Sequence, residues 1–354
     1  MVLRPHLSVG LPLSARFVYH ASWIEFKMSP FPYTQNRRNA VSRAARVLRG
    51  TFVAAALLAS TTLAAQDNAE SIRAKQDVLW SHMEDSIRII VQQTDAVVGV
   101  AILDLADKRS FYLNADAVYP AASTIKIAVL GELYSQHERA SSGGSGAKLG
   151  DLYTLDAKDG VGGDGILTAM TAGVTRMTNR DLATLVVSLS DNSATNVLID
   201  RVGMDNVNAW LARLGLKETR LRRHMMDAEA ARDGRENTAT PRELVMLLSA
   251  LYDGRGFGKA TSDDFFKLLS TPKKSYIPRL LPADLTIANK PGDLDGVRND
   301  AGIVFVPGRP FAIAVMTTFA RDELDAELSI ARIAHAAWSY FDRVGKSSPL
   351  GRIK

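Results

Sequence analysis

The strand-forming segments of this chain fall into two groups far apart in sequence, and that separation restricts its fold more than any other feature. The first group is Val97-Val98-Gly99-Val100-Ala101-Ile102-Leu103-Asp104 and Ser110-Phe111-Tyr112-Leu113-Asn114. These are joined across the polar turn Ala106-Asp107-Lys108-Arg109 and read as a hairpin. The second group is Leu285 to Lys290, Ala301 to Val306 and Phe311 to Thr318, with Pro307-Gly308-Arg309-Pro310 turning between the last two. From Ser123 to about Ser270 the pattern is helical, most clearly over Arg242 to Tyr252. Helical patterns also cover Ala69 to Gln93, with Ile72, Val78, Leu79, Met83, Ile87 and Ile90 as apolar positions, and Leu324 to Phe341. The simplest packing brings the two ends together. The expectation is an α/β (α+β) fold, with an antiparallel five-stranded sheet flanked by terminal helices and an all-helical subdomain inserted over about residues 123–272. A cleft between sheet and insertion is the natural place for a site.

The net charge of +5 resides before this region. Residues 1–65 hold eight basic residues, Arg4, Arg16, Lys27, Arg37, Arg38, Arg43, Arg46 and Arg49, and one acid, Glu25. That leaves 35 basic and 37 acidic residues over 66–354, a balance of −2, which speaks against a nucleic-acid partner. The basic stretch Arg37 to Arg49, the apolar run Phe52 to Leu58 and the small residues Thr62 and Ala64 read as a secretory signal cleaved near residues 64–66. The apolar run falls short of the roughly 20 residues of a membrane span, although an uncleaved anchor stays open, as does a start at Met28. The domain reading is a leader over 1–65, a catalytic domain over 66–345 and a tail over 346–354. Its location is expected to be periplasmic or secreted, and its state monomeric.

With no cysteine, the chain has no disulfide, thiolate metal site or cysteine nucleophile. The histidines His6, His20, His82, His137, His224 and His335 are scattered, and His137-Glu138 has no second histidine one turn on, so no metal centre is expected. No glycine-rich loop follows a strand and opens a helix, so no nucleotide cofactor is expected either.

Three short segments carry chemistry. In Ser123-Thr124-Ile125-Lys126, a serine beginning a helix has the lysine one turn on and on the same side. A partly desolvated amine loses its proton more readily and can serve as base for serine attack. Alone, a Ser-x-x-Lys match arises about once or twice by chance in such a chain, and a capping serine with an exposed lysine explains it equally. Ser190-Asp191-Asn192 follows the helical run Leu182 to Leu189; it reads as a helix end and turn, or as a hydroxyl relaying protons with an amide that binds substrate. Lys290-Pro291-Gly292 ends a strand, as a turn or as a cation beside a ligand-binding edge.

Taken together and in order, these segments resemble the Ser-x-x-Lys, Ser-Asp-Asn and Lys-Thr-Gly signature of class A β-lactamases and penicillin-binding proteins. Asn196-Val197-Leu198, Thr238-Ala239-Thr240-Pro241 and Val297-Arg298-Asn299-Asp300-Ala301-Gly302-Ile303 extend the likeness, which spans roughly Asp77 to Phe341. The resemblance implies a β-lactamase/transpeptidase-like fold and a serine hydrolase acting on β-lactam or related amide bonds of a small molecule or cell-wall peptide. It implies Ser123 as acylated nucleophile, Lys126 as activator and Ser190 as proton shuttle. Asn192 would bind the substrate amide and Lys290 its carboxylate end. The N–H groups of Ser123 and Asp293, beside Gly292, would form the oxyanion hole.

Two departures bear on substrate. The family's loop glutamate, which activates the deacylating water, has no counterpart: one alignment places His224 there and another Met225. Asp227 and Glu229 are the nearby carboxylates, either as substitutes, with Asp227 taken as the catalytic one, or as ion-pair partners of Arg222, Arg223 or Arg235. Pro291 replaces the family's hydroxyl residue and lacks an N–H, which shifts carboxylate binding onto Lys290 and Arg298. A D,D-peptidase, an esterase or a penicillin-binding protein with slow deacylation is the alternative reading.

Overall fold

Both groups of strands enter one sheet. The computed structural model describes residues 69–348 and 350–353; the predicted leader and its cleavage site lie outside the described residues. Helix α1 covers residues 69–93 and is followed by strands β1 (Val97–Asp104), β2 (Ser110–Leu113) and β3 (Tyr119–Pro120). A 3₁₀ turn, Ala122–Ile125, runs into α2 (Lys126–Ser141). Then come β4 (Leu152–Thr154), β5 (Arg176–Thr178), α3 (Asn179–Ser188), α4 (Asn192–Val202), α5 (Met204–Arg213), α6 (Ala228–Arg232), β6 (Thr238–Ala239), α7 (Pro241–Tyr252) and α8 (Lys259–Leu269). The chain returns through β7 (Ile287–Leu294), β8 (Val297–Val304), β9 (Phe311–Thr318) and α9 (Glu323–Gly345).

The sheet order is β2-β1-β9-β8-β7, antiparallel throughout, so β1 pairs with the last strand of the chain. Alternation along β9 shows how the two faces differ. Phe311, Ile313 and Val315 pack with Trp80, Ile87, Ile330 and Phe341 of α1 and α9. Ala312, Ala314 and Met316 face the core shared with α2, α4, α5 and α7. Small side chains on that face let the helical part lie close to the sheet. Helix α2 is buried almost all round from Lys126 to Gln136, the mark of a helix at the centre of a core.

Capping accounts for several helix starts. Thr178 and Asp181 form a reciprocal capping box on α3, Asp191 caps α4, and Thr240 caps α7 with Pro241 in its first turn. One boundary differs from the sequence reading. The strand expected to stop at Lys290 continues to Leu294, so Lys290-Pro291-Gly292 lies within β7. Proline is tolerated there because β7 is an edge strand, where one side of the ladder has no partner.

Candidate active site

Ser123 sits on the 3₁₀ turn before α2, one turn ahead of the α-helix in which it was expected to lie. Several contacts from distant elements fix this turn. Asn299 Nδ2 donates to the carbonyls of Pro120 at 2.8 Å and Ala121 at 3.2 Å. The Ala121 N–H donates to the Asn237 carbonyl at 2.8 Å. Ala122, directly before the serine, has φ 48°, and Ser190 has φ 56°. Left-handed non-glycine residues cost on the order of 1–3 kcal/mol each and persist where surrounding structure enforces them, and two of the six among the described residues stand at the first two motifs.

Ser190 connects these motifs. Its Oγ is 2.9 Å from Ser123 Oγ, 3.1 Å from Lys126 Nζ and 3.0 Å from Lys290 Nζ. Lys126 Nζ also donates to the Ser190 carbonyl at 2.5 Å and to Asn192 Oδ1 at 2.9 Å. The path from Ser123 to Lys126 therefore runs through the Ser190 hydroxyl, where sequence spacing had pointed to a direct one. Both lysines are fully buried. Burial, and then the charge of Lys290, hold Lys126 well below the ordinary lysine range. Burial lowers Lys290 to about 8, opposed by Asp300 and Asp293.

Gly292 is needed where β7 meets the turn that carries Ser123. A Cβ added there would lie 2.7 Å from the Ser123 nitrogen and 2.8 Å from the Thr124 nitrogen, both backbone atoms. Gly292→Ala is expected to push β7 away from Ser123. Because misplacement by about 1 Å can lower catalysis about 100-fold, kcat/KM should fall by that order, with a lower melting temperature. Wild-type kinetics in this variant would show that the close approach has no catalytic role.

The cleft in front of Ser123 measures 500 Å³ and is walled by Asn192, Met225, Asp227, Asp293 and Arg298, among others. Gly163 and Asp164, which the sequence reading did not place at the site, form a further wall. The backbone binds that loop to α4: Asp191 Oδ2 accepts from Ile166 and Leu167, and the Asn192 N–H donates to the Asp164 carbonyl. The unusual density of glycine at Gly160, Gly162, Gly163 and Gly165 was the available signal, since Cβ atoms at Gly163 and Gly165 would collide with Asn192 and Asp191.

On the opposite loop, His224 turns away to Asp200 at 2.8 Å, whereas Met225 faces the cleft. Asn196 holds Met225 through both backbone groups, at 2.8 and 3.1 Å. Asp227 also lines the cleft while capping α6 through the Ala230 N–H at 2.9 Å. Glu229 is exposed and outside the cleft wall. Of the three arginines suggested as partners for these acids, Arg223 pairs with Glu236 at 2.8 Å and Arg235 with Asp233 at 2.9 Å, while exposed Arg222 forms no ion pair among the described residues.

Arg298 lines the cleft, but its donors are largely engaged. It donates to the Leu294 and Val297 carbonyls at 2.9 and 2.8 Å, to Glu327 at 3.2 Å and to Glu323. The Asp293 side chain accepts from the Tyr276 hydroxyl at 2.5 Å, and burial together with that contact raises the Tyr276 pKa.

Comparison with known proteins agrees with this geometry. Residues 82–341 match the family described as the beta-lactamase enzyme family. The chain is 29% identical over 307 residues to beta-lactamase AST-1 of Nocardia asteroides, covering 85% of this chain and 96% of that one. It superposes on the beta-lactamase from Sphaerobacter thermophilus DSM 20745 with a TM-score of 0.66 and 31% identity, over 74% of this chain and 97% of that one. PBP-A superposes with a TM-score of 0.65 and 25% identity, over 74% and 96% of the two chains. A mutant of PBP-A has been solved as an acyl-enzyme complex with penicillin G.

Proposed function

The chain belongs to the beta-lactamase enzyme family and is a class A β-lactamase-like serine hydrolase; from that premise we propose that Ser123 forms the acyl-enzyme through a relay in Ser190 and Lys126. The observation that carries the reading is the Ser190 hydroxyl, within hydrogen-bond distance of Ser123 Oγ and of a lysine whose burial favours the neutral amine. Neutral Lys126 keeps two N–H groups for the Ser190 carbonyl and Asn192 Oδ1, and turns its lone pair toward Ser190 Oγ. As Ser123 Oγ attacks the carbonyl carbon, its proton passes to Ser190 while the Ser190 proton passes to Lys126. The negative oxygen is received by the N–H groups of Ser123 and Asp293. Collapse breaks the amide bond, and the proton on Lys126 returns through Ser190 to the leaving nitrogen. Asn192 would orient the substrate amide, and Lys290 holds the relay from its other side.

For release of the acyl group, Asp227 is the better of the two loop carboxylates, because it faces the cleft and is free of the ion pairs that occupy Arg223 and Arg235. A water between Asp227 and the acyl carbon would give a proton to Asp227 as it attacks, and that proton would pass to Ser123 Oγ as the acyl–oxygen bond breaks, which returns Asp227, Ser123 and the relay to their starting states. Asp227→Asn keeps a side-chain acceptor for the α6 cap. It is expected to leave acylation intact and slow deacylation by about 10²–10⁴, seen as a pre-steady-state burst followed by a reduced steady rate. An unchanged steady rate would move the water-activating role away from Asp227.

The chain is proposed to act outside the cytoplasm, in the periplasm or after secretion, on the strength of the signal-like sequence from Arg37 to Ala65. Among the described residues no helix is long and apolar enough to cross a membrane. A monomer is the oligomeric state proposed.

A further inference from the structure

The walls of the cleft carry charge of the wrong sign for the substrates that the resemblance suggests. Its lining includes six carboxylates, Asp164, Asp227, Asp293, Asp295, Glu236 and Glu323, against two arginines. Arg223 is paired with Glu236, and Arg298 with Glu323 and Glu327. Among the described residues, Asp164, Asp227, Asp293 and Asp295 form no ion pair; Asp164 and Asp293 act at longer range on the buried Lys290, which leaves Asp227 and Asp295 without a facing cation. The imbalance is sharpest beside β7, where resemblance places the substrate carboxylate. There Pro291 offers neither hydroxyl nor N–H, Arg298 is engaged by two glutamates and two carbonyls, and Lys290 is turned to Ser190 Oγ and its own neighbour's carbonyl. Exposed Asp293 and Asp295 stand on that same wall.

We propose that the cleft selects substrates carrying a cationic amino group where a β-lactam carries its carboxylate, with Asp295 as a specificity-determining residue. The inference rests on the reading of Ser123 as the acylated residue and deepens it by naming the charge class of the substrate. Asp295 is suited to the role by position. It lies in the two-residue turn between β7 and β8, beside Gly296 at φ 67°, so its side chain can change without disturbing the sheet register. It makes no contact with the relay. One unit charge near 4 Å alters binding by about five-fold even in water, and a cleft concentrates the field. Two aspartates on one wall are expected to separate opposite charges on a substrate by more than about ten-fold.

The test uses three aryl esters of one acyl group, whose phenol bears a meta carboxylate, carboxamide or aminomethyl substituent, with rates normalised to spontaneous hydrolysis. At low salt the normalised kcat/KM should follow aminomethyl, then carboxamide, then carboxylate, with the extremes separated by about ten-fold or more. At about 0.5 M salt, where the screening length falls to a few ångströms, the spread should contract. Asp295→Lys should narrow or invert the order while leaving the carboxamide ester unchanged, and Asp295→Asn should fall between. Preference for the carboxylate ester at low salt, or an order indifferent to Asp295→Lys, overturns the inference while leaving the acyl-enzyme reading in place. Turnover of all three esters at full rate by Ser123→Ala sinks the acyl-enzyme reading, and the inference with it.

Discussion

Ser123→Ala is expected to reduce kcat/KM by on the order of 10⁶, because a nucleophile and its relay act as one unit and loss of either removes nearly the whole chemical advantage. The fold should survive. The turn that carries Ser123 is held by Asn299, Asn237 and the sheet edge, through backbone groups that the substitution leaves in place. Removal of the hydroxyl strips Ser190 of one partner only, since both lysines still reach its Oγ. The expected result is therefore an inactive protein whose melting temperature stays within a few degrees of wild type. Because the cleft is otherwise intact, substrate should still bind, and the loss should appear in the rate of acylation. A fall smaller than about 100-fold would mean that another group attacks the carbonyl; among the described residues the cleft lining holds no hydroxyl other than that of Ser123, and its remaining nucleophilic groups are carboxylates.

Lys126→Met is expected to move activity and stability in opposite directions. Acylation should fall by about 10³ or more, since the relay loses its terminal base. Stability should rise, and the sign follows from linkage. The folded pKa of Lys126 lies well below its ordinary value of 10.5, by burial first and by the charge of Lys290 second. As pH falls below about 10.5 the unfolded chain takes up the proton while the folded chain resists it. Stability therefore declines from that point down to the folded pKa and is constant below it. Methionine removes the penalty. The gain should be greatest at neutral pH, on the order of 1 kcal/mol or about 2–4 °C in Tm, and should vanish above pH 10.5. Thermal melts at pH 7 and pH 11, with acylation rates on the same samples, check both halves. A variant less stable than wild type at neutral pH would show that the hydrogen bonds of Lys126 with Ser190 and Asn192 outweigh its desolvation.

Residues 69–93 and Phe311–Thr318 form the elements that periodicity assigns them, because each buries one face against a continuous partner. That the two strand groups share one sheet was also readable, since both are too apolar to stand apart; that β1 pairs with β9 comes from the structure. Boundaries failed where polar residues interrupt the pattern. Residues Pro291-Gly292-Asp293 look like a turn, yet they belong to β7, because an edge strand tolerates proline and the neighbouring turn requires glycine. In the site, the residue types were legible and their wiring was not. Spacing places Lys126 one turn from Ser123, and resemblance alone named Ser190, 67 positions after Ser123, as the proton shuttle; the fold adds that its hydroxyl is within hydrogen-bond reach of both. Whether His224 or Met225 faces the cleft depended on the side chain of Asn196, a tertiary contact that counting along the loop cannot supply. The commitment of Arg298 to Glu323 and Glu327 was hidden in the same way, as those acids come from α9.

The most direct test is mass spectrometry of the protein quenched in acid during turnover of penicillin G. Acylation at Ser123 predicts a gain equal to the mass of the intact β-lactam, confined to the peptide that contains Ser123 and absent from Ser123→Ala. The gain should persist longest in Asp227→Asn. A β-lactam consumed at full rate with no adduct, or an adduct on a peptide that lacks Ser123, would contradict it.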